Sequence, residues 1–275
     1  MSTGRVLLFD SGMGGLTVAR SVRHELPFAH LVYAADNAAF PYGAWEERAL
    51  VERILFVMDR LIGMVEPDIV VIACNTASTI ALTQLRERFG VPFVGTVPAI
   101  KPAAAQTKTG IVGVLATPGT VRREYTHALI NDFAAHARVV LHGAPKLAEM
   151  AERKLKGVAV DLDELKAEIA PVFVEDGGHR RTDVVVLGCT HYPLLADEMA
   201  KVEPWVVRYI DPAPAIARRV ADVLKDVTLK DPSKPVPPHN SVLLTSSRAG
   251  AEDALPAYAK MSFHLPAFLD LTVSR

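Results

Sequence analysis

The sequence predicts an α/β fold made of two similar three-layer domains with mostly parallel sheets. Three observations support this prediction. Short apolar segments alternate with amphipathic helical segments along the 275-residue chain. The apolar segments have the continuous character of strands buried on both faces, which is typical of parallel sheets covered by helices. The second half of the pattern resembles the first, and a chain of this length suits two modest domains.

Two series of elements follow one another along the chain. The first series has predicted strands at 6–9, 31–35, 69–73 and 91–94, and predicted helices at 15–25, 45–65 and 78–89. The second has predicted strands at 111–115, 139–141, 184–187 and 206–210, and helices at 121–133, 162–174 and 194–201. The Pro-rich segment 229–240 is predicted to be a loop, before a strand at 242–245 and a helix from about Glu252.

Matching segments in the two series indicate an internal duplication. The segment DIVVIACNT at 68–76 matches DVVVLGCTH at 183–191, and PAI at 98–100 matches PAI at 214–216 at nearly the same offset. Upstream, VLLFDS at 6–11 resembles IVGVLA at 111–116. The duplication predicts two pseudo-twofold related domains with the active site in the cleft between them. We expect residues 1–97 plus 207–275 to form the first domain and 98–206 the second.

Composition limits the classes of function. Half of the residues are hydrophobic and 22% are charged, which allows a packed core and argues against disorder. The formal net charge of -1 gives no basic surplus for nucleic acid or an acidic membrane. The apolar run at 6–9 is too short for a signal peptide, and no segment reaches the ~20 apolar residues that span a bilayer. We therefore expect a soluble, cytoplasmic protein.

The chain has only two cysteines, Cys74 and Cys189, and each follows one of the two matched strands. Ligands of open parallel sheets bind beyond the carboxyl ends of the strands. A single cysteine is more often a small buried hydrophobe, but two at matched strand ends favour a functional role. Two cysteines do not make a disulfide framework. Metal binding is also disfavoured, because nothing near Cys189 and His191 completes a tetrahedral ligand set.

Two opposed thiols suit a reaction with mirror symmetry. Each cysteine precedes polar residues and then a predicted helix, whose free N–H groups favour a thiolate and can hold a carboxylate. One thiolate would remove a proton from a stereocentre, and the other thiol would return a proton to the opposite face. A Cys189–His191 nucleophile pair is the competing enzymatic interpretation. It leaves Cys74 and the duplication unexplained.

The glycine-rich segment 10–15 has another interpretation as a phosphate loop. It lacks the lysine of a P-loop, and its glycines do not fit G-x-G-x-x-G. We expect the glycines to permit a sharp turn close to a small ligand. Asp10, at the start of this segment, either caps the following helix or takes part in catalysis.

The chain resembles the glutamate racemases and, more distantly, the aspartate racemases. The matching motifs are FDSGMGGLT at 9–17, PYG at 41–43, ACNTA at 73–77 and GCTHYP at 188–193, and the resemblance runs from about residue 5 to 224. It implies interconversion of L- and D-glutamate without pyridoxal phosphate, metal or another cofactor, supplying D-glutamate for peptidoglycan. It also implies a cytoplasmic homodimer. The small molecule that the protein binds would be its substrate, glutamate.

The resemblance assigns roles to individual residues. Cys74 would deprotonate D-glutamate and Cys189 would deprotonate L-glutamate. The polar assistants would be Asp10, Glu152 and His191. The residues that would bind substrate are Asp10, Ser11, Tyr42, Gly43, Asn75, Thr76, Thr117, Thr120, Thr190 and His191. Around Glu152 the segment departs from the family pattern, so Glu149, one helical turn away, is an alternative acidic assistant.

Two alternative functions remain at this point. Aspartate racemase is the alternative within the same class, since the sequence does not give the dimensions of the cleft. The alternative from another class is a non-catalytic binding protein for a small acid. Loss of one cysteine would favour the binding protein, whereas both cysteines are present.

Overall fold

A computed structural model of the protein describes residues 4–178, 180–231, 237–247, 251–269 and 271. The chain divides into two compact units. The first unit comprises Met1–Thr96 and Ala213–Arg275, and the second comprises Val97–Pro212. Of the predicted loop 229–240, residues 232–236 lie outside the described residues.

The strands and α-helices are numbered in chain order. The strands are β1 (Arg5–Asp10), β2 (His30–Ala35), β3 (Ile69–Ile72), β4 (Phe93–Gly95), β5 (Ile111–Ala116), β6 (Arg138–Gly143), β7 (Glu175–Asp176), β8 (Arg180–Arg181), β9 (Val184–Gly188), β10 (Arg208–Ile210), β11 (Ser241–Leu244) and β12 (His264–Phe268). The helices are α1 (Leu16–Glu25), α2 (Glu47–Val65), α3 (Asn75–Arg88), α4 (Ile100–Gln106), α5 (Pro118–Val121), α6 (Glu124–Phe133), α7 (Leu147–Leu155), α8 (Leu162–Ile169), α9 (Ala196–Val202), α10 (Ala213–Lys225) and α11 (Leu255–Lys260). Short 3₁₀ turns occupy Asn37–Ala39, Tyr42–Ala44, Ala170–Val172, Tyr192–Leu195 and Glu252–Ala254.

The first unit contains a parallel sheet with the strand order β12-β11-β2-β1-β3-β4. Every residue of β1 and β3 is buried, which explains their continuous apolar character. Helix α2 buries the apolar stripe that includes Leu50, Ile54 and Leu61 in the core of this unit. Helices α1 and α10 pack against each other. These layers place the carboxyl ends of β1 and β3 side by side.

The second unit contains a smaller parallel sheet with the order β10-β9-β5-β6, and β7 and β8 form an antiparallel pair. Its order repeats β4-β3-β1-β2 of the first unit, as the duplication predicts. The predicted α/β class with mostly parallel sheets is confirmed. Because β3 corresponds to β9, the cysteines that follow them occupy equivalent places in the two sheets.

The register corrects one of the sequence matches. Val6 lies beside Ile69, whereas Val112 lies beside Val184. Val6 therefore corresponds to Val112, one residue later than the matched start at position 111. The physical reason is that uninterrupted apolar strands look alike when slipped by one residue. In the corrected register Ser11 corresponds to Thr117.

Several boundaries differ from the prediction. Strand β10 is hydrogen-bonded to β9, so residues 208–210 belong to the second unit and the chain returns to the first at Ala213 instead of at 207. The predicted helix 121–133 begins three residues later, at Glu124, as α6, and Val121 ends the short preceding helix α5. The predicted helix 162–174 ends at Ile169, before a 3₁₀ turn that contains Pro171. Helix α3 begins at Asn75, three residues before the predicted start, which makes Cys74 its N-cap residue.

Across the residues that the structure describes, no helix has both the length and the apolar character needed to cross a membrane.

Candidate active site

The carboxyl ends of β1 and β3 bring Asp10 and Cys74 onto one edge of the first sheet. The N–H of Ala73 donates to the carbonyl of Phe9 at 2.8 Å, which holds the two strand ends together. Asp10 and Cys74 are both buried, and Sγ of Cys74 lies 3.9 Å from Oγ of Ser11. As the N-cap of the 14-residue helix α3, Cys74 sits where free N–H groups favour a thiolate. We call the residues at this edge of the first unit, which include Asp10, Ser11 and Cys74, the first half-site.

The glycine-rich turn folds around Asp10. Its Oδ1 accepts a hydrogen bond from the N–H of Gly12 at 2.9 Å, within the turn that precedes α1. The hydroxyl of Tyr33 donates to the carbonyl of Gly12 at 2.6 Å. Gly15 is the N-cap residue of α1 and has no side chain of its own to cap the helix. A Cβ on Gly15 would lie 2.8 Å from Cβ of Asp10, so this turn requires a glycine.

The remaining predicted residues of the first half-site differ in what they offer a ligand. Asn75 and Thr76 are buried in the first turn of α3. Among the described residues, neither Nδ2 nor Oδ1 of Asn75 has a hydrogen-bond partner. The hydroxyl of Tyr42 instead donates to Oδ2 of Asp36 at 2.6 Å, and Gly43 shares the 3₁₀ turn with Tyr42. Among these residues, Asn75 is therefore the one whose side-chain amide can still hydrogen-bond to a ligand.

The second half-site follows β9. Cys189 is buried, and its Sγ lies 3.8 Å from Nδ1 of His191. Nε2 of His191 lies 2.8 Å from Oε1 of Glu152 on α7. Burial alone lowers the pKa of His191, but its contacts with Cys189 and Glu152 outweigh burial and raise that pKa well above its usual value. The His191 ring therefore lies between Cys189 and Glu152 and contacts both.

Glu152, one of the two candidate acidic assistants, makes the contact with His191. Its side chain is 14% exposed, whereas Glu149 is exposed on the same helix. The helix that carries both is α7, which packs against the 3₁₀ turn Tyr192–Leu195. The hydroxyl of Tyr192 donates to the carbonyl of Ala144 at 3.0 Å. Burial, with the nearby charge of Cys189, raises the pKa of Tyr192 well above its usual value.

Three threonines complete the predicted set in the second unit. Thr190 is buried directly after Cys189. Thr117 caps α5 by accepting from the N–H of Thr120 at 3.3 Å, and the two hydroxyl oxygens lie 2.9 Å apart. Thr117 follows β5 as Ser11 follows β1. The two half-sites therefore both place a hydroxyl and a cysteine at the carboxyl ends of neighbouring strands.

The two half-sites differ behind their cysteines. A 14-residue helix starts directly after Cys74, but Cys189 is followed by a turn and the 3₁₀ segment Tyr192–Leu195. The predicted helix N-terminus therefore lies next to Cys74 only. At Cys189, the His191 imidazole supplies the neighbouring positive charge.

Sequence reasoning missed Asp36 and Arg53, which form a buried ion pair beside Tyr42. The available signal was the position of Asp36 directly after strand β2, one residue beyond Ala35, which pairs with Asp10 at the end of β1. The partner Arg53 lies on α2 and gave no signal of its own.

Known proteins that are similar to this chain are racemases. Residues 17–220 match the Asp/Glu/Hydantoin racemase family. The glutamate racemase of Brucella anthropi is 51% identical over 88% of this chain and 86% of its own length. The glutamate racemase of Bartonella bacilliformis is 52% identical over 90% of each chain.

A solved structure is also similar over the whole chain. The Escherichia coli glutamate racemase, determined with L-glutamate and the activator UDP-MurNAc-Ala, has a TM-score of 0.89 and 43% identity and covers 98% of both chains. The similarity therefore extends over nearly the whole chain, beyond residue 224, where the resemblance in sequence ends. This chain belongs to the glutamate racemases of the Asp/Glu/Hydantoin racemase family.

Proposed function

We propose that this protein interconverts L- and D-glutamate by two-base proton transfer and supplies D-glutamate for peptidoglycan synthesis. The observation that carries the proposal is the placement of Cys74 and Cys189 after the equivalent strands β3 and β9. A reaction that exchanges two mirror-image molecules needs one proton-transfer group on each face of the same carbon. Two thiols in equivalent settings meet that need.

In the D-to-L direction, the Cys74 thiolate removes the α-proton of D-glutamate. The electron pair of the broken C–H bond is left on the α-carbon, and the Cys189 thiol delivers its proton to the opposite face. Cys74 ends as a thiol and Cys189 as a thiolate. In the L-to-D direction the roles are exchanged, so no external proton or oxidant is needed.

The surroundings of each cysteine support its role. The start of α3 favours a Cys74 thiolate. His191, held by Glu152, lies 3.8 Å from the Cys189 sulfur, and the pKa of the His191 ring is raised well above its usual value. We assign Asp10, His191 and Glu152 as the polar assistants, with Asp10 serving the Cys74 face. For turnover, both sulfurs must come within about 3–3.5 Å of the α-carbon.

The proposed substrate contacts are the polar groups around the two cysteines. The unpartnered amide of Asn75 is suited to a carboxylate or ammonium group, since buried polar groups without partners are costly. The start of α3 adds N–H donors for a carboxylate. The other proposed contacts are Asp10, Ser11, Tyr42, Gly43, Thr76, Thr117, Thr120, Thr190 and His191.

We also propose that the enzyme acts as a homodimer in the cytoplasm. A cytoplasmic location suits the mechanism, because a reducing compartment keeps Cys74 and Cys189 as free thiols. Light scattering of the purified protein measures the oligomeric state, and a monomer at enzyme-assay concentrations would contradict the dimer.

The test of the reaction uses purified, reduced protein dialysed against chelator. Incubation with L-glutamate and with L-aspartate is followed by circular dichroism, and α-hydrogen exchange in D₂O is followed by mass spectrometry. We expect L-glutamate to lose its signal with deuterium incorporation and L-aspartate to react far more slowly. Faster reaction of aspartate would make the protein an aspartate racemase. Activity that returns only when pyridoxal phosphate is added would contradict the two-cysteine mechanism.

The two bases are separated by substituting each with serine, whose hydroxyl stays protonated without strong activation. Cys74→Ser and Cys189→Ser should each nearly abolish racemisation in both directions. Elimination of HCl from 3-chloroglutamate needs only removal of the α-proton, so one base suffices. Cys74→Ser should still process the L-analogue, and Cys189→Ser the D-analogue. Near wild-type racemisation by either variant would show that its cysteine is structural.

A further inference from the structure

The carboxylate of Asp36 is fully buried and accepts hydrogen bonds from three side chains. Tyr42 donates its hydroxyl to Oδ2 at 2.6 Å, and Thr245 donates its hydroxyl to Oδ1 at 2.6 Å. Arg53 donates from Nε to Oδ2 at 3.0 Å and from Nη2 to Oδ1 at 2.6 Å. A buried carboxylate is tolerated only when it is paired and hydrogen-bonded. Both oxygens of the Asp36 carboxylate meet this condition, because each accepts two hydrogen bonds.

Arg53 connects this carboxylate to other parts of the first unit. It lies on α2 with a side chain that is 7% exposed, and its Nη2 also donates to the carbonyl of Leu271 at 3.0 Å. Burial alone lowers the pKa of Arg53, but its contacts with Asp36 outweigh burial and raise the pKa. The guanidinium therefore keeps its charge and links α2, the end of β2 and the C-terminal segment.

Tyr42 connects this network to Cys74. The two side chains lie in one core cluster, and the 3₁₀ turn Tyr42–Ala44 contacts α3, the helix whose N-cap residue is Cys74. Burial, followed by the charge of Asp36, raises the pKa of Tyr42 well above its usual value, and the charge of Cys74 adds to the rise. The phenol therefore stays neutral and remains a donor to Asp36. Its ring packs against that of Phe9 with centroids 6.4 Å apart, so the ring is held from two sides.

We propose that the buried Asp36–Arg53 pair is a positioning element that holds Tyr42 beside Cys74 and thereby supports proton transfer at the Cys74 face. Neither Asp36 nor Arg53 touches the reacting atoms in this mechanism; both act through Tyr42. The inference rests on the proposed racemase function. It predicts that substitutions in this network slow proton transfer at Cys74 and leave proton transfer at Cys189 nearly unchanged.

Racemisation rates do not reveal which of the two bases is affected. L- and D-glutamate have equal free energies, so kcat/KM must be the same in both directions for every variant, whichever base is damaged. The one-base elimination from 3-chloroglutamate separates the two faces. Removal of the α-proton expels chloride from the β-carbon and forms a C=C bond. The resulting enamine becomes an imine, and water hydrolyses the imine to 2-oxoglutarate and ammonium.

The test measures elimination from the D- and L-analogues by Tyr42→Phe and Arg53→Lys. The first removes the hydroxyl that Asp36 holds, and the second keeps the positive charge but loses the two-point contact. We expect both to slow the D-analogue, which reacts at Cys74, by about tenfold or more, since misplacing a reacting group is costly. The L-analogue, which reacts at Cys189, should change less than about threefold, because its base is in the other unit.

Two matched variants control for general loosening of the fold. Arg48→Lys makes the same change at an exposed position of α2 and should leave both rates unchanged. Thr245→Val removes a hydrogen bond from the same carboxylate without touching Tyr42, and it should lower the melting temperature without changing the ratio of the two rates. The folded state of each variant is checked by circular dichroism.

The outcomes are distinct. A D-to-L rate ratio that falls for Tyr42→Phe and Arg53→Lys but holds for both controls supports the positioning role. Equal losses on both analogues, or unchanged rates, would overturn it and leave Asp36 and Arg53 as structural residues. Absence of elimination and racemisation in the unmodified protein would overturn the proposed function instead.

Discussion

His191 and Glu152 are joined by a contact of 2.8 Å between Nε2 and Oε1. The other ring nitrogen faces Cys189 at 3.8 Å, so the carboxylate orients the ring and sets which nitrogens carry protons. Glu152 thus acts on the second base through an intermediate group. Glu152 on α7 therefore influences the Cys189 sulfur through His191 and not by direct contact.

Glu152→Gln should lower the racemisation kcat by about 10- to 100-fold, because a hydrogen bond to a charged group contributes about 1.5–3 kcal/mol. Elimination from the L-analogue, which uses Cys189, should fall more than elimination from the D-analogue. The matched control is Glu149→Gln, the same change at an exposed position of the same helix. Equal kcat values for the two variants would contradict the role of Glu152.

The stability conferred by His191 should depend on pH. Its folded-state pKa is raised above the ordinary value of about 6.5. The protonated ring therefore stabilises the fold fully below that pH, and the contribution is lost as the pH rises through the folded-state pKa. Urea unfolding of the wild type and His191→Asn across pH measures the difference. That difference should shrink towards alkaline pH, and a difference that grows would reverse our assignment of the charge.

Asn75→Leu should separate stability from binding. Among the described residues the Asn75 amide lacks hydrogen-bond partners, and an unsatisfied buried group costs about 1–3 kcal/mol. The variant should be as stable as the wild type or more stable when free, yet lose the rise in melting temperature that glutamate produces. Ser78→Ala, which removes another unpartnered buried group on α3, should keep that rise. Retention of the rise in Asn75→Leu would exclude Asn75 from the substrate contacts.

Gly15→Ala should destabilise the fold and displace Asp10. The new Cβ would lie 2.8 Å from Cβ of Asp10 and 2.9 Å from the Tyr33 hydroxyl, and such overpacking costs about 1–3 kcal/mol. Gly63→Ala makes the same change in α2. There, among the described residues outside that helix's own backbone, no atom would lie within 4 Å of the new Cβ, and the change should stabilise the fold by about 0.5–1 kcal/mol. Thermal unfolding of the two variants measures both the expected loss of stability in Gly15→Ala and the expected gain in Gly63→Ala. A stabilised Gly15→Ala would show that the turn can open at no cost.

The strands were the most predictable part of this fold. Segments such as β1 and β3 are buried along their whole length, so their apolar character reveals them without any partner. The positions of Cys74 and Cys189 after matched strands could be predicted for the same reason. The register of β1 against β5 could not, because an apolar strand gives little information on a slip of one residue.

Other elements were not predicted from the sequence. Helix α10 has no counterpart among the predicted elements. Pro214 stands in its first turn, where proline is tolerated. Strand β12 contains Pro266 and lies at the edge of its sheet, where strands accept proline. The Asp36–Arg53 pair depends on how α2 and the C-terminal segment pack, which no local pattern encodes.

The division of the chain determines the order in which the protein can fold during synthesis. The second unit is one continuous stretch, Val97–Pro212, and is complete before the Ala213–Arg275 part of the first unit has been translated. The first unit must wait for β11 to cover the open edge of β2 and for Leu271 to reach Arg53. A chain that ends at residue 212 would therefore contain the complete second unit and an exposed edge of the first sheet, the kind of surface that chaperones protect.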